Sequence, residues 1–586
     1  MFTFSQPFLS SPLKHLLTVS LFLLVPGILS AQDASPSTLL PDIDPQDIEI
    51  RGDFEVRFPG IRRQPILGFN PRPRVFQIDP DRLPFLETPE QVVTSLPVSD
   101  LERPSPPVYT FYRHPDRFRL WSTTGIGNYM APEADVYLEV PLSEKTTAAA
   151  SVNHFSSADY LDSADGQTSS FRNLHGDLNL VHYAGERSRW QLNLNGRSDR
   201  NHLPVTSIAQ ADPAADPLIS RPDNNIGVLG AQLAYRNTRN ARSYTDLKAE
   251  YSSFNAETGG VAGLAASSAD VNSFKEQLLV TAVEQVWTGS RPGNTMSVSA
   301  GASYGMTELA IGSEGNWLLA NLGTTFRTRI GYQLSVEAGG RAYYGSDEVK
   351  DQQVLLYPEI RLQYRLSDLI TLRGVLEGVV QNQGIHGISR VNRRLFMYTS
   401  PENERGVRFS GSAEYEAMDG LKVQSTLSYG RYTRMGAFAL QPGTDNLLTQ
   451  VYLDGGSVIR WETSTWYDLQ PERIQAYGGF YVQSVTDRNG ERVAFRENIG
   501  LRLGGVYRFT DQLRVHAWSD YTGSRRVAPG RSENGYLLLG VKADVWASKD
   551  IGAYIKITNM LNQSYATWTG YDELPAQVFG GIMIKL

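Results

Sequence analysis

The chain contains no cysteine, so the chemistry open to it begins with its eight histidines and its carboxylates. Thiolate zinc sites, iron–sulfur clusters and cysteine nucleophiles are excluded outright. Two histidines that share a metal need the same strand face, which means an even spacing. His175 and His182 are an odd number apart and face opposite ways in a regular strand. His182 or His516 beside a hydroxyl or carboxylate is the arrangement a barrel hydrolase would place at its strand ends, yet no spacing demands it. None of the 52 glycines forms a phosphate-cradling loop. The residues therefore point to no catalytic group, no metal and no cofactor.

Charged residues are the second candidate. Arg341, Arg361, Arg365, Arg373, Arg502, Arg508 and Arg514 recur at alternate positions, interleaved with Glu337, Glu377, Asp520 and Asp544. Such a set is either an anion-attracting ladder or a wet surface whose charges pair with one another, and the second reading is preferred. A formal net charge of -7 and the lack of any Lys/Arg run argue against a nucleic-acid surface.

Aromatic residues are the third. Trp121, Tyr183, Trp190, Trp287, Tyr332, Trp461, Trp466, Tyr507 and Trp546 fall near the ends of apolar stretches, where bilayer interfaces select amphipathic rings. Tyr565, Trp568 and Tyr571 fall instead in a polar stretch and are candidates for stacking on an external ligand.

The elements that position these residues follow from periodicity. From about residue 116 to the end, stretches of about 9 to 15 residues alternate apolar and polar. In LSVEAGGRAYY, Leu334, Val336, Ala338, Ala342 and Tyr344 share one face, and Ser335, Glu337, Arg341 and Tyr343 the other. Tight turns at LSEKT, AGERS, RIGYQ, LSD, MDG, LQPE, FTDQ and SKD alternate with long polar loops such as those at 199–225 and 382–405. This short, long, short rhythm is that of an outer-membrane barrel, and it predicts an all-β, transmembrane antiparallel β-barrel of about 22 strands over 116–586. The last strand, AQVFGGIMIKL, puts Val578, Ile582, Ile584 and Leu586 on one face with no polar tail, as a strand needs when it closes a barrel against lipid.

Two segments precede the barrel. Residues 1–31 carry Lys14 and His15 before the apolar run LLTVSLFLLVPGILS and the small-residue stretch SAQDAS, the pattern of a signal peptide. Residues 32–115 hold about half of the 31 prolines, which are unsuited to a sheet ladder. The latter segment is a reduced plug or a periplasmic segment. As a plug, its Arg51, Arg62 and Arg63 would pair with lumen acids such as Glu337, Glu377, Asp520 and Asp544, on a wall that also carries Arg341 and Arg514.

The last thirty or so residues, ITNMLNQSYATWTGYDELPAQVFGGIMIKL, resemble the final hairpin of TonB-dependent receptors: Asn559, Leu561 and Tyr565 loosely fit a penultimate-strand pattern, and Leu586 replaces the usual terminal aromatic. IEIRG, from Ile48 to Gly52, is similar to the family's first plug element, and the later glycine-rich plug stretch has no counterpart. The resemblance implies a receptor-type barrel with a reduced or atypical plug, in the outer membrane of a didermal bacterium. It also implies that the closing strand is read by the barrel-assembly machinery, and that TonB or another periplasmic partner is engaged. The expected role is binding and uptake of a ligand captured by the loops at 199–225 and 382–405. A non-transporting scaffold subunit of an envelope complex and a passive channel are the alternatives.

Overall fold

The computed structural model describes residues 119–586, apart from 159–169, 204–205, 209–217, 221–222, 241–242, 260–270, 290–292, 311–313, 348–351, 419, 443, 445 and 471–472. Residues 1–31, expected to be a signal peptide, and the proline-rich segment 32–115 with its Arg51, Arg62 and Arg63 lie outside the described residues.

Twenty-two antiparallel strands, from Leu120–Gly127 to Gln577–Lys585, close into one barrel. The closing register runs from Trp121 opposite Lys585 to Gly127 opposite Phe579. Even the last residue belongs to the ladder: Leu586 donates its N–H to the Leu120 carbonyl at 2.9 Å, and its own carbonyl accepts the Leu120 N–H at 3.1 Å. Closure leaves no free edge, which is why an apolar terminal strand is tolerated here.

The two-residue side-chain period sorts each strand into an outer and an inner face. On the final strand Val578, Ile582 and Leu586 point outward and exposed, while Phe579 and Met583 are buried inside against Tyr554 and Ala131. Tyr183, Trp190, Trp287 and Tyr332 are exposed near the short-turn end, as a girdle requires. Three expected girdle members depart from it. Trp121 is buried and packs on Trp546 with ring centroids 5.8 Å apart. Trp466 sits opposite Lys422, on the charged face. Rings on the inner face fill space beside small residues instead of meeting lipid.

Tight turns alternate with longer connections round most of the ring, but the connection 128–130 is as short as the turns and 309–313 is shorter than 289–294. Several turns are tied by their own hydroxyl: Ser548 Oγ accepts the N–H groups of Asp550 and Ile551, and Thr510 Oγ1 those of Gln512 and Leu513. Two short connections are missing from the turns expected from the sequence, one between the paired residues Asn240 and Ser243 and one between Thr288 and Thr295, although the second carries the turn signal Pro292–Gly293 in its sequence. Among the described residues there is a single helix, Gly384–Val391, and it lies in the connection between strands Ile370–Gln381 and Glu404–Met418.

Candidate functional site

The inner wall pairs its charges internally. Glu337 accepts from Arg361 at 2.6 Å, and Glu359 binds both Arg361 (2.5 Å) and Arg341 (3.2 Å). Asp520 pairs with Arg502 at 2.5 Å, Arg514 with Asp544 at 2.9 Å, and Glu377 with Arg408. The acids expected to await plug arginines thus already hold guanidinium partners from neighbouring strands, and cross-strand pairing at one register step explains it. His182 Nδ1 lies 2.9 Å from Thr146 Oγ1, and His516 Nε2 lies 3.3 Å from Tyr477 Oη. His175 shares a face with Arg197 and His182 with Trp190, so the two histidines do face opposite ways.

The connection 382–403 is the distinctive feature. Instead of rising from the rim, it reaches walls on both sides of the mouth. Its helix begins at Gly384, whose φ of +61° only glycine adopts cheaply, and the residue before it gives no side-chain cap. The cap comes from the barrel wall. Glu276, buried in strand Val271–Thr288, accepts the His386 N–H at 2.8 Å on Oε2 and the Trp317 indole N–H at 3.4 Å on Oε1. A carboxylate at the first turn satisfies otherwise orphaned N–H groups and meets the positive end of the helix dipole. A side chain at Gly384 would collide with it, since a Cβ there would lie 2.5 Å from Glu276 Oε1.

The helix turns Ile385 and Ile388, one turn apart, into an apolar cluster with Ile226, Val228, Phe254 and Phe274 from the inner faces of three strands. Burial there pushes the His386 imidazole down to about 4, with Arg390 and Arg197 adding to the shift. After Asn392 the chain turns at Arg393 and Arg394. Asn224 Nδ2 donates to the carbonyls of Arg393 (2.8 Å) and Leu395 (3.2 Å), and the Phe396 N–H donates to the Leu448 carbonyl at 3.0 Å. Arg394 then makes a two-pronged contact with Glu573, at 2.9 and 3.2 Å, in the connection before the closing strand. Asp347 accepts the Asn403 N–H at 3.0 Å and pins the return to the wall.

The aromatics expected to meet ligand are placed differently from one another. Tyr571 is buried, donates to the Arg394 carbonyl at 3.1 Å and lies under the Arg394 guanidinium. Trp568 packs on Phe438 and Phe495 at 5.1 and 5.7 Å, and Tyr565 packs on Tyr536. Tyr571 and Trp568 thereby help to hold the crossing loop. Glu276, Asn224, Arg394 and Glu573 were missed by sequence reasoning. One signal was available: in DNNIGVLG both faces are apolar at the external end of a strand, with Ile226 and Val228 inside and Leu229 outside, which a water-filled lumen does not require.

The closed 22-stranded antiparallel barrel is similar in fold to the TonB-dependent receptors of the outer membrane. Solved structures similar to it include the ferric-catecholate import receptor Fiu from E. coli K12 in its closed form (TM-score 0.60, 12% identity, 80% of this chain and 82% of that chain covered). The siderophore receptor PiuA from Acinetobacter baumannii is similar over 80% of this chain and 81% of its own, at 9% identity and a TM-score of 0.61. A mutant of the ferric enterobactin receptor PfeA from Pseudomonas aeruginosa matches at 12% identity and a TM-score of 0.58, covering 80% of each chain. At such identities the likeness is one of fold. Neither a protein-family model nor a curated relative matches the chain.

Proposed function

We propose that this protein is an outer-membrane receptor that captures a ligand at its external face and passes it into the periplasm. In this reading residues 1–31 direct export, and residues 32–115 serve as a compact plug in contact with TonB. The barrel-assembly machinery reads the closing strand. The observation that carries the proposal is the crossing loop: 382–403 is held to the wall by Glu276 and Asn224 and to the far connection by Glu573. A loop tied across the mouth restricts passive flow, and a receptor needs an entrance that yields to its cargo. The fold likeness to import and siderophore receptors supports the same reading.

Single-channel conductance tests it with three proteins: the mature chain, a version lacking 32–115, and that version carrying Arg394→Ala. The receptor reading expects no steady conductance from the first, restricted conductance from the second and large open steps from the third. Steady conductance by the intact chain would make the protein a passive channel. Silence in all three would favour a scaffold whose lumen is permanently filled.

A further inference from the structure

Beside the crossing loop lies a cavity of about 240 Å³, bounded by the helix on one side and by strands Leu421–Leu440, Leu448–Leu453 and Ile474–Asp487 on the other. Its volume is below the roughly 300–1,000 Å³ of sites for drug-sized ligands, so it takes one ring and not a whole siderophore. The polar lining mixes the amides of Gln381, Gln383, Gln450 and Gln483 and the Glu404 carboxylate with the Tyr432 and Tyr452 hydroxyls and the Arg496 guanidinium. Gln381 and Gln383 each give an amide N–H to Glu404 Oε2, at 2.6 and 3.4 Å, which leaves their carbonyl oxygens as acceptors. Glu404 itself is buried and also takes the Gly436 N–H at 2.8 Å. Gln450 is 3% exposed, lines the cavity and has an Oε1 with no hydrogen-bond partner. A buried amide carbonyl left unsatisfied costs free energy that a ligand hydroxyl would recover. The facing wall is apolar, built from Met435, Ala437, Val485 and Val493.

One wall of mixed hydrogen-bonding groups and one of aliphatic groups suit a molecule with a rim of hydroxyls, which both donate and accept, and a C–H face. An anionic catecholate would meet carbonyl oxygens and the Glu404 carboxylate, with Arg496 the one cation of the lining. We propose that this cavity binds the ring of a neutral sugar, with the Gln450 carbonyl as a principal acceptor of its hydroxyls. That the sugar is cargo rests on the receptor reading; that it binds does not.

The test uses the full mature protein in detergent, with methyl glycosides of neutral hexoses, spermidine and a ferric catechol complex as probes. Binding is read by ligand-observed NMR, and by hydrogen exchange over 381–391 and 448–453. Saturable binding of at least one glycoside, weakened about tenfold by Gln450→Leu through loss of one hydrogen bond and protecting both segments, is the expected result. Ala437→Phe, which fills the cavity from its apolar side, should abolish the same signal; both variants are first checked for a heat-modifiable folded barrel. No glycoside binding, glycoside binding that neither variant alters, or binding of spermidine or the catechol complex alone would overturn the proposal. A chain that binds glycoside yet conducts steadily would sink the receptor reading and leave the sugar site standing.

Discussion

Glu276 and His386 meet across the barrel mouth: the carboxylate of a wall strand accepts the main-chain N–H of the third residue of the loop helix at 2.8 Å. An eight-residue helix in a loop is too short to be stable alone, so this contact and the apolar cluster beneath it hold the helix together.

Replacing the carboxylate tests that statement. Glu276→Leu keeps the bulk and removes both acceptors, which orphans buried donors at a cost of about 1–3 kcal/mol. Hydrogen exchange of 384–391 should quicken by roughly 5- to 150-fold, with the barrel still resistant to detergent. Glu276→Gln, which retains one acceptor, should do much less. Gly384→Ala should resemble the leucine variant, because it meets both the φ of +61° and the Glu276 side chain. Equal exchange in all three would show that the cap does not hold the loop.

A change in the opposite direction is expected at Tyr398. Its ring packs edge-on to Phe254 and Phe274, and its buried hydroxyl has no hydrogen-bond partner. Burial also pushes its phenol well above the ordinary range. Tyr398→Phe removes the unsatisfied group without changing the packing and should slow loop exchange by a fewfold. Faster exchange would mean that the hydroxyl is satisfied by water.

Acid should loosen the loop. His386 titrates near 4 when the loop is closed and near its ordinary 6.5 when open, so the open form binds more protons between those values. The closed form therefore has its full stability above about 6.5 and loses it progressively as pH falls toward 4. Asp572, raised by burial and by Glu533 and Glu573, acts the other way, since its contribution is present at low pH and lost as pH rises. Exchange of 384–391 should quicken on going from neutral pH to about 5 after correction for the intrinsic rate. His386→Gln should abolish that change; an undiminished response would assign it elsewhere.

The closing seam is set by glycines. Gly125 pairs with Gly581, and Tyr554 fills the space beside both. A Cβ at Gly581 would strike the Thr124 carbonyl as well as the Tyr554 ring, and main chain in a ladder cannot move aside. Gly581→Ala should lower the yield of heat-modifiable barrel severalfold. Gly580→Ala, where a Cβ meets nothing within 4 Å, should fold normally. Equal yields would show that the seam relaxes.

The barrel was legible in the chain because its signal is local and repeated. Leu334 to Tyr344 alternate whatever surrounds them, Ser548 and Thr510 tie turns through their own backbone, and the face from Val578 to Leu586 requires lipid. The pairing of wall charges was foreseeable in kind, though only the register decided that Glu359, not Glu337, joins two arginines. The crossing loop was not legible. Ile385 and Ile388 have helical spacing, but nothing near them in sequence indicates that Glu276 caps them or that Glu573 receives Arg394. Those partners lie 110 and 179 residues away and are brought together by barrel closure. The sequence by itself determined a membrane barrel, since strand periodicity and turn chemistry act between neighbours; only the tertiary structure decided that its mouth is crossed and by which contacts, since a closed ring makes neighbours of residues that no local pattern connects.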